Sequence, residues 1–299
     1  MDGTVVQSIT PKVQAHKVRV NNASRFLVSP FDNLIKVNSD QENVYQKIML
    51  SSKHIRPSQS NLKRYQIIKY TDNWVVTGDL ADSIHVRGEL SNHFMEVGID
   101  YLRRTNKVEG KMIMPYQLST FLIIGQFQKK VVVSYFKRRS DYSLSVMKQI
   151  SFPVLEEVSR GTKEGNHWYC LSMNFQAERF EALDSMRGEG SESLTKHANA
   201  LISKIKALWQ IHYATSKVQI QDWELTIINV PVQENIFNCG FHVLYNIEYW
   251  DGQNIPQIGK GYAYKLRRII PYKWITVDFN EEKNNWKENL NKNVIRKDK

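Results

Sequence analysis

Apolar residues recur at helical spacing or in a continuous run along three segments, 89–102, 194–208 and 241–250. This pattern is typical of helices that turn one face, or the whole surface, toward a core. In the first segment the apolar positions are Leu90, Phe94, Val97 and Tyr101, and in the second they are Leu194, Ala198, Leu201, Ile205 and Leu208. The sequence therefore predicts three helices, and the last of them is buried.

Strands are predicted where β-branched and aromatic residues cluster. Segments 167–175 and 180–185 flank a short polar stretch and predict an antiparallel hairpin. Segment 223–230 predicts a further strand, and the β-branched segment 130–136 predicts another, whereas 117–126 fits either a helix or a buried strand. Strands and helices follow one another without a regular βαβ repeat, which indicates an α+β fold rather than a doubly wound sheet.

The length of 299 residues suits one large domain or two modest ones, and the 41% of apolar residues can fill a sizeable core. Residues 1–65 are rich in Asn, Ser, Gln and Lys and carry only short apolar pieces. They predict an N-terminal extension that partly docks on the following body, 66–282. Residues 283–299 predict a basic tail.

The chain has 41 Lys and Arg residues against 30 Asp and Glu residues, which gives a formal charge of +11. This surplus favours acidic partners without choosing among nucleic acid, an anionic membrane and an acidic protein. Zinc-finger, homeodomain and RNA-platform signatures are missing, so we expect no direct nucleic-acid binding. The longest apolar runs are far shorter than the roughly 20 residues that cross a bilayer, so we also expect no membrane partner.

The N-terminal sequence lacks the features of a secretory signal, and the chain has two cysteines, Cys170 and Cys239. Two cysteines exclude a disulfide framework and a cysteine-rich zinc module. We therefore expect an intracellular protein, nuclear or cytoplasmic, that uses no cofactor and no metal.

His167, Asp184 and Cys239 fall at the edges of predicted elements, in an arrangement that suits nucleophilic thiol catalysis. A thiol is mostly protonated at neutral pH, so it needs an imidazole and, ideally, a helix N-terminus to favour the thiolate. The imidazole in turn needs a carboxylate that fixes its tautomer. Because His167 begins one strand of the predicted hairpin and Asp184 lies near the end of the other, antiparallel pairing brings them to the same end of the ladder.

Other interpretations of the same residues stay open at this point. Taken singly, Cys239 is more often an inert buried thiol, His167 a satisfied histidine, and Asp184 a turn or cap carboxylate. Cys170 lies in mid-strand without a helix start beside it, and we expect it to be inert. His242 is a second candidate base, although it lies on the same helix as Cys239.

Segment 230–240 reads VPVQENIFNCG and resembles the nucleophile segment of the ubiquitin-like-protein-specific (SUMO) cysteine proteases, approximately V-P-x-Q-x-N-x-x-D-C-G. Upstream, segments 152–154 (FPV), 167–168 (HW) and 181–185 (EALDS) are similar to that family's strand, H-W pair and L-D-S segment. The resemblance covers about residues 145–270 and is weak further upstream. In this respect the chain is similar to divergent plant members of the family. It implies a papain-like cysteine protease fold of the adenain/SUMO-protease type, a central mixed sheet flanked by helices, with 66–282 as the catalytic domain.

Carried over position by position, the resemblance implies roles for five residues. Cys239 would be the nucleophile, His167 the general base and acid, and Asp184 the carboxylate that orients the imidazole. Gln233 would be an oxyanion-hole donor, and Trp168 would line the tunnel that admits a Gly-Gly terminus.

The implied activity is hydrolysis of the peptide or isopeptide bond after the C-terminal Gly-Gly of a SUMO-like modifier, so this modifier and its conjugates are the expected partners. A thiol acyltransferase and a non-catalytic module that binds a ubiquitin-like protein are the alternatives. Two departures from the family pattern stand out. Asn238 replaces the Asp before the nucleophile, and we expect it to cap the helix equally well. The family's Trp-Leu-x-Asp segment is not evident around residues 74–82.

Overall fold

The computed structural model describes residues 36–52, 66–71, 73–106, 108–137, 141–156, 167–259 and 261–294. Within these ranges the chain forms ten helices and seven strands. In chain order they are α1 (Ser39–Ser52), β1 (Gln66–Tyr70), β2 (Asn73–Val76), α2 (Thr77–Ile84), α3 (Asn92–Thr105), β3 (Lys111–Ile113), α4 (Tyr116–Ile123), α5 (Lys130–Tyr135), α6 (Asp141–Ser145), β4 (Gln149–Glu156), β5 (His167–Asn174), β6 (Arg179–Leu183), α7 (Glu192–Tyr213), β7 (Leu225–Ile228), α8 (Cys239–Tyr249), α9 (Tyr262–Thr276) and α10 (Trp286–Val294).

Five strands form the central sheet, in the order β3-β4-β5-β6-β7. The two inner pairings, β4 with β5 and β5 with β6, are antiparallel, whereas β3 pairs with β4 and β6 with β7 in parallel. Strands β1 and β2 form a separate antiparallel pair. The predicted α+β fold with a mixed sheet flanked by helices is therefore confirmed.

Two apolar cores lie on the two faces of the sheet. Side chains alternate along β5, so that Trp168 and Cys170 enter one core and Tyr169 and Leu171 enter the other. Helices α3, α8 and α9 contribute to the first core, and α4, α5 and α7 to the second. Because both faces are covered, every residue of β5 is buried.

The predicted helices are present, as are the predicted strands except the one over 130–136, and side-chain caps mark the starts of α3 and α7. Helix α3 begins after Ser91, whose hydroxyl accepts from the backbone N–H of Phe94, and α7 begins after Ser191, which caps Leu194 in the same way. Strands β5 and β6 form the predicted hairpin, and β7 and α8 lie where the sequence places them. The ambiguous segment 117–126 is helical, as α4.

The prediction of a strand over 130–136 is wrong, because Lys130–Tyr135 forms helix α5. Of its three consecutive valines, Val132 is buried and Val133 is 44% exposed. The segment follows α4 and packs on it within the helical layer. A preference for strands reflects fit to a pleated, half-buried surface, and this segment does not meet such a surface.

Helices α1 and α10 pack on the body formed by the other elements. Ile48 of α1 is fully buried, and Ser51 donates a hydrogen bond to the carbonyl of Leu290 at 3.0 Å. Asn289 of α10 donates to the carbonyl of Gln66 at 2.8 Å, at the start of β1. The remaining parts of the predicted extension 1–65 and of the tail 283–299 lie outside the described residues, and the boundaries at 65 and 282 stay predictions. No helix in the described ranges is long and apolar enough to cross a membrane.

Candidate active site

The β5–β6 hairpin brings His167 and Asp184 together at one end of its ladder. Cys170 pairs with Leu183, so His167 at the start of β5 faces the chain that leaves β6. The His167 Nε2 and Asp184 Oδ1 atoms are 2.9 Å apart, and both residues are buried. The antiparallel register thus produces the juxtaposition that the sequence predicts.

Both carboxylate oxygens of Asp184 are engaged. Oδ1 accepts from the backbone N–H groups of Met186 at 2.8 Å and Arg187 at 3.1 Å in addition to His167, and Oδ2 accepts from Arg187 Nε at 2.8 Å. Burial opposes ionisation of this carboxyl, but the hydrogen bond and charge of His167 and the Arg187 guanidinium together lower the pKa of Asp184 below its usual range. Asp184 is therefore held as an oriented carboxylate.

Cys239 is the first residue of α8, as predicted, and its side chain hydrogen-bonds His167. Because His167 Nε2 faces Asp184, Nδ1 is the ring nitrogen left for the thiol. Burial lowers the pKa of His167, but the hydrogen bonds and charges of Asp184 and Cys239 outweigh it and raise that pKa to about 9. Sulfur, imidazole and carboxylate thus form one hydrogen-bonded row.

Asn238 does not cap α8, contrary to the expectation from its residue type. Its side chain makes no capping hydrogen bond, and its Oδ1 accepts instead from Arg267 Nη2 at 2.8 Å. Arg267, on α9, is buried and also donates to the carbonyls of Ser83 and Gly88. Burial lowers the pKa of Arg267 to about 10, while the nearby Cys239 acts in the opposite direction. A charged guanidinium therefore ties the residue before Cys239 to the chain that precedes α3.

Gln233 is held by the turn that also carries Asp184. Its backbone N–H donates to the carbonyl of Ser185 at 2.9 Å, and its Oε1 accepts from the hydroxyl of Ser185 at 2.5 Å. Its Nε2 donates to the carbonyl of Asn235. Because Ser185 donates to the oxygen of the side-chain amide, the orientation of that amide is fixed.

Trp168 is only 3% exposed and packs edge-to-face with Tyr116, with ring centroids 5.4 Å apart. Its indole therefore belongs to the apolar core beside the site, and a role in lining a substrate tunnel stays a prediction.

The chain at the N-terminal end of α3 lies directly beside the start of α8, where Cys239 stands. The sequence did not predict this contact, since no Trp-Leu-x-Asp segment is evident around residues 74–82. A Cβ added at Gly240 would lie 2.7 Å from the Leu90 Cβ, so these two helix ends approach closely only because residue 240 is glycine. The segment 89–92, Glu-Leu-Ser-Asn, therefore borders the site. In the sequence, the only sign of this position is that Leu90 is one of the apolar residues of the predicted helix 89–102.

The other candidates from the sequence do not join the row. Burial raises the pKa of the Cys170 thiol to about 12, which agrees with an inert residue. Burial likewise lowers the pKa of His242 to about 4, only partly offset by a hydrogen bond with the backbone of Pro231. Within the described ranges, no group of three or more His, Cys, Asp or Glu side chains could hold a metal ion.

The described residues thus combine a mixed sheet flanked by helices with a thiol at a helix N-terminus, beside a histidine and a carboxylate on the adjoining hairpin. Residues 136–258 match the model of the Ulp1 protease family, C-terminal catalytic domain. This match covers about two fifths of the chain and contains His167, Asp184 and Cys239. No curated protein sequence matches the chain.

Solved structures of SUMO proteases share the fold at low sequence identity. SUMO protease Ulp1 with its catalytic cysteine oxidized to a sulfenic acid matches with a TM-score of 0.62 and 15% identity, over 82% of this chain and 98% of that one. The C-terminal Ulp1 protease domain in complex with Smt3, the yeast ortholog of SUMO, gives 0.61 and 14%, over 83% and 99%. The Chaetomium thermophilum Ulp1-like SUMO protease catalytic domain gives 0.57 and 15%, over 86% and 96%.

Proposed function

We propose that the protein hydrolyses the peptide or isopeptide bond after the C-terminal Gly-Gly of a SUMO-like modifier, with Cys239 as nucleophile. The observation that carries this proposal is the row formed by Cys239, His167 and Asp184, with 2.9 Å between His167 Nε2 and Asp184 Oδ1. The modifier is inferred from the family and from the Ulp1 domain solved in complex with Smt3. We assign the activity to a catalytic domain spanning 66–282, in a nuclear or cytoplasmic protein.

The first half of the reaction is acylation of the enzyme. His167 takes the proton of the thiol, and the Cys239 sulfur attacks the carbonyl carbon of the terminal glycine. The tetrahedral intermediate then expels the lysine amine, or the amine of the following residue, which receives the proton from His167. The pKa of His167, raised to about 9 beside Asp184 and Cys239, holds the proton taken from the thiol on the imidazole while the thiolate attacks.

The second half is hydrolysis of the thioester. His167 takes a proton from water, the resulting hydroxide adds to the thioester carbonyl, and the sulfur leaves and is reprotonated. Asp184 keeps Nδ1 directed at the sulfur throughout, since it binds the opposite ring nitrogen. Both halves pass through an oxyanion, for which the backbone N–H of Cys239 and the side-chain amide of Gln233 are the donors we assign. Loss of one such donor typically lowers the rate by about 100 to 1,000-fold.

A panel of ubiquitin-like proteins that end in propargylamide tests the proposal. We expect at least one SUMO-like probe to form a covalent adduct whose mass maps to Cys239, because the alkyne occupies the place of the scissile bond beside the sulfur. Cys239→Ala should form no adduct, and Cys170→Ala is the matched control that should react like the wild type. Tight probe binding without any adduct would instead support a non-catalytic binding module, and an adduct at Cys170 would contradict the assignment.

A further inference from the structure

Two segments, 110–140 and 193–221, account for ten of the eleven positive charges by which Lys and Arg outnumber Asp and Glu. Together they contain ten Lys and Arg residues and no Asp or Glu residue. The rest of the chain then has 31 Lys and Arg residues against 30 Asp and Glu residues, a surplus of one. The net charge of +11 is therefore not spread over the molecule but belongs to about a fifth of its sequence.

The described helices of these two segments pack together on one face of the sheet, whereas Lys111 lies on β3 and donates to the carbonyl of Trp250. The first contains α4 and α5 and the second contains α7, and all three share the apolar core formed with Tyr169 and Leu171 of β5. The Tyr213 hydroxyl at the end of α7 donates to the carbonyl of Lys137, just after α5, at 3.0 Å. We call the helical surface formed by residues 116–137 and by α7 the basic layer. It carries six lysines and one carboxylate, which are Lys129, Lys130, Lys137, Lys196, Lys204, Lys206 and Glu192.

The cations of the basic layer are directed outward. Lys129, Lys130, Lys137 and Lys196 are exposed, and no described carboxylate forms an ion pair with any of them. Lys204 is half-buried, with Nζ 5.7 Å from the ring centroid of Phe127.

Only part of the layer's charge is used within the fold. Lys206 donates to the carbonyls of Gln221 and Trp223 at 2.7 and 2.8 Å. It therefore ties the segment before β7 to helix α7. Like charges that outnumber the carboxylates around them repel one another and weaken the compact state. A polyanion bound to such a surface would offset this repulsion.

We propose that the basic layer binds the phosphate backbone of nucleic acid without reading base sequence. Helices that lie on a membrane keep a whole apolar face free, whereas α4, α5 and α7 pack their apolar faces into the core and leave single apolar side chains exposed, such as Val133 and Ile211. Interfaces between proteins are depleted in lysine, whereas those with nucleic acid are strongly positive. The absence of a base-reading motif, which led us to expect no such binding, is consistent with contacts to phosphate alone.

The position of the basic layer leaves the candidate active site accessible. Cys239 begins α8, which packs on the opposite face of the sheet, with Trp168 and Cys170. Nucleic acid on the basic layer would therefore not occupy the surface beside Cys239. The expected effect is localisation of the enzyme rather than a change in its chemistry.

The test measures binding of the full chain to a fluorescent 30-base-pair DNA duplex of mixed sequence across a series of salt concentrations. With about five phosphate contacts, the logarithm of the association constant should fall with the logarithm of salt concentration with a slope of about −4.5. The variant Lys129→Gln, Lys130→Gln, Lys204→Gln should reduce the magnitude of that slope by about 3 and weaken binding at 0.1 M salt by on the order of 100-fold.

A matched variant removes three lysines outside the basic layer, Lys36→Gln, Lys47→Gln, Lys287→Gln, and should keep a slope within about 1 of the wild type. Lysine acetylation of the wild type provides a readout without substitution, since the duplex should protect Lys129 and Lys204 but not Lys47. Absence of duplex binding at 0.05 M salt, or equal losses in both variants, would overturn the proposal. So would preferential binding to vesicles with anionic lipid or to polyglutamate.

Discussion

Arg187 links the proposed catalytic carboxylate to a second acidic residue. Its Nε donates to Asp184 Oδ2 at 2.8 Å, and its Nη1 lies 2.7 Å from Oε2 of Glu156 at the end of β4. Glu156 in turn lies opposite His167 in the β4–β5 register. His167 and Asp184 could be paired from the sequence because antiparallel register is implicit in the hairpin pattern. The contact of Arg187 with Asp184 could not be predicted from the sequence, because it depends on the conformation of the turn after β6.

Arg187→Gln removes a positive charge that favours the ionised form of Asp184. The pKa of Asp184, now held low, should rise, so Asp184 becomes protonated at a higher pH and can no longer accept from His167. We expect the acid limb of the pH profile of kcat/KM, measured on a SUMO-like fusion substrate, to move toward neutral pH. The alkaline limb, which reports loss of the His167 proton, should stay near pH 9.

Arg187→Lys keeps the charge and should recover most of the acid limb. Arg104→Gln removes an arginine from an exposed ion pair with Asp100 and is the matched control, expected to leave the profile unchanged. An acid limb that stays in place in Arg187→Gln, with the fold intact, would show that Arg187 does not act through Asp184.

At the scale of elements, the site depends on how the N-terminal ends of α3 and α8 meet. Gly240 permits the contact with Leu90, and Arg267 of α9 ties Asn238 to the chain before α3. The sequence predicts both helices, and the family motif predicts Cys239 at the start of α8. Neither gives the distance between the two helix ends, because this distance is set by side chains far apart in sequence.

Gly240→Ala should force the two helix ends apart, because the new Cβ would lie 2.7 Å from the Leu90 Cβ and 2.9 Å from its Cδ1. We expect the free energy of unfolding to fall by about 1–3 kcal/mol, as in other overpacked cores. Thermal unfolding and the rate of reaction with the propargylamide probe measure the effect on stability and on the site. Gly188→Ala is the matched control, since a Cβ at that exposed glycine meets no atom within 4 Å. Equal behaviour of the two variants would refute the close contact.

At the scale of the whole molecule, the sequence predicts the central hairpin and the site better than the terminal parts. The hairpin, α7 and α8 carry strong local periodicity, and the site residues lie at their ends. The packing of α1 rests on long-range contacts, such as the ion pair of Arg268 with Glu42 at 2.5 Å, which no local pattern encodes. Composition likewise gives the net charge but does not show that the exposed lysines around α5 and on α7 share one helical layer, since that requires α4, α5 and α7 to share a face.

The central claim is that Cys239 is activated by His167, and the rate of alkylation by iodoacetamide at pH 7 measures it most directly. Peptide mass spectrometry separates Cys239 from Cys170, which serves as an internal control. The account predicts that Cys239 reacts at least about 100-fold faster than Cys170, and that His167→Ala slows Cys239 about 10-fold or more, because the thiolate loses its partner. His242→Ala should leave the rate unchanged. A Cys239 that reacts no faster than Cys170, or that is indifferent to His167→Ala, would contradict the account.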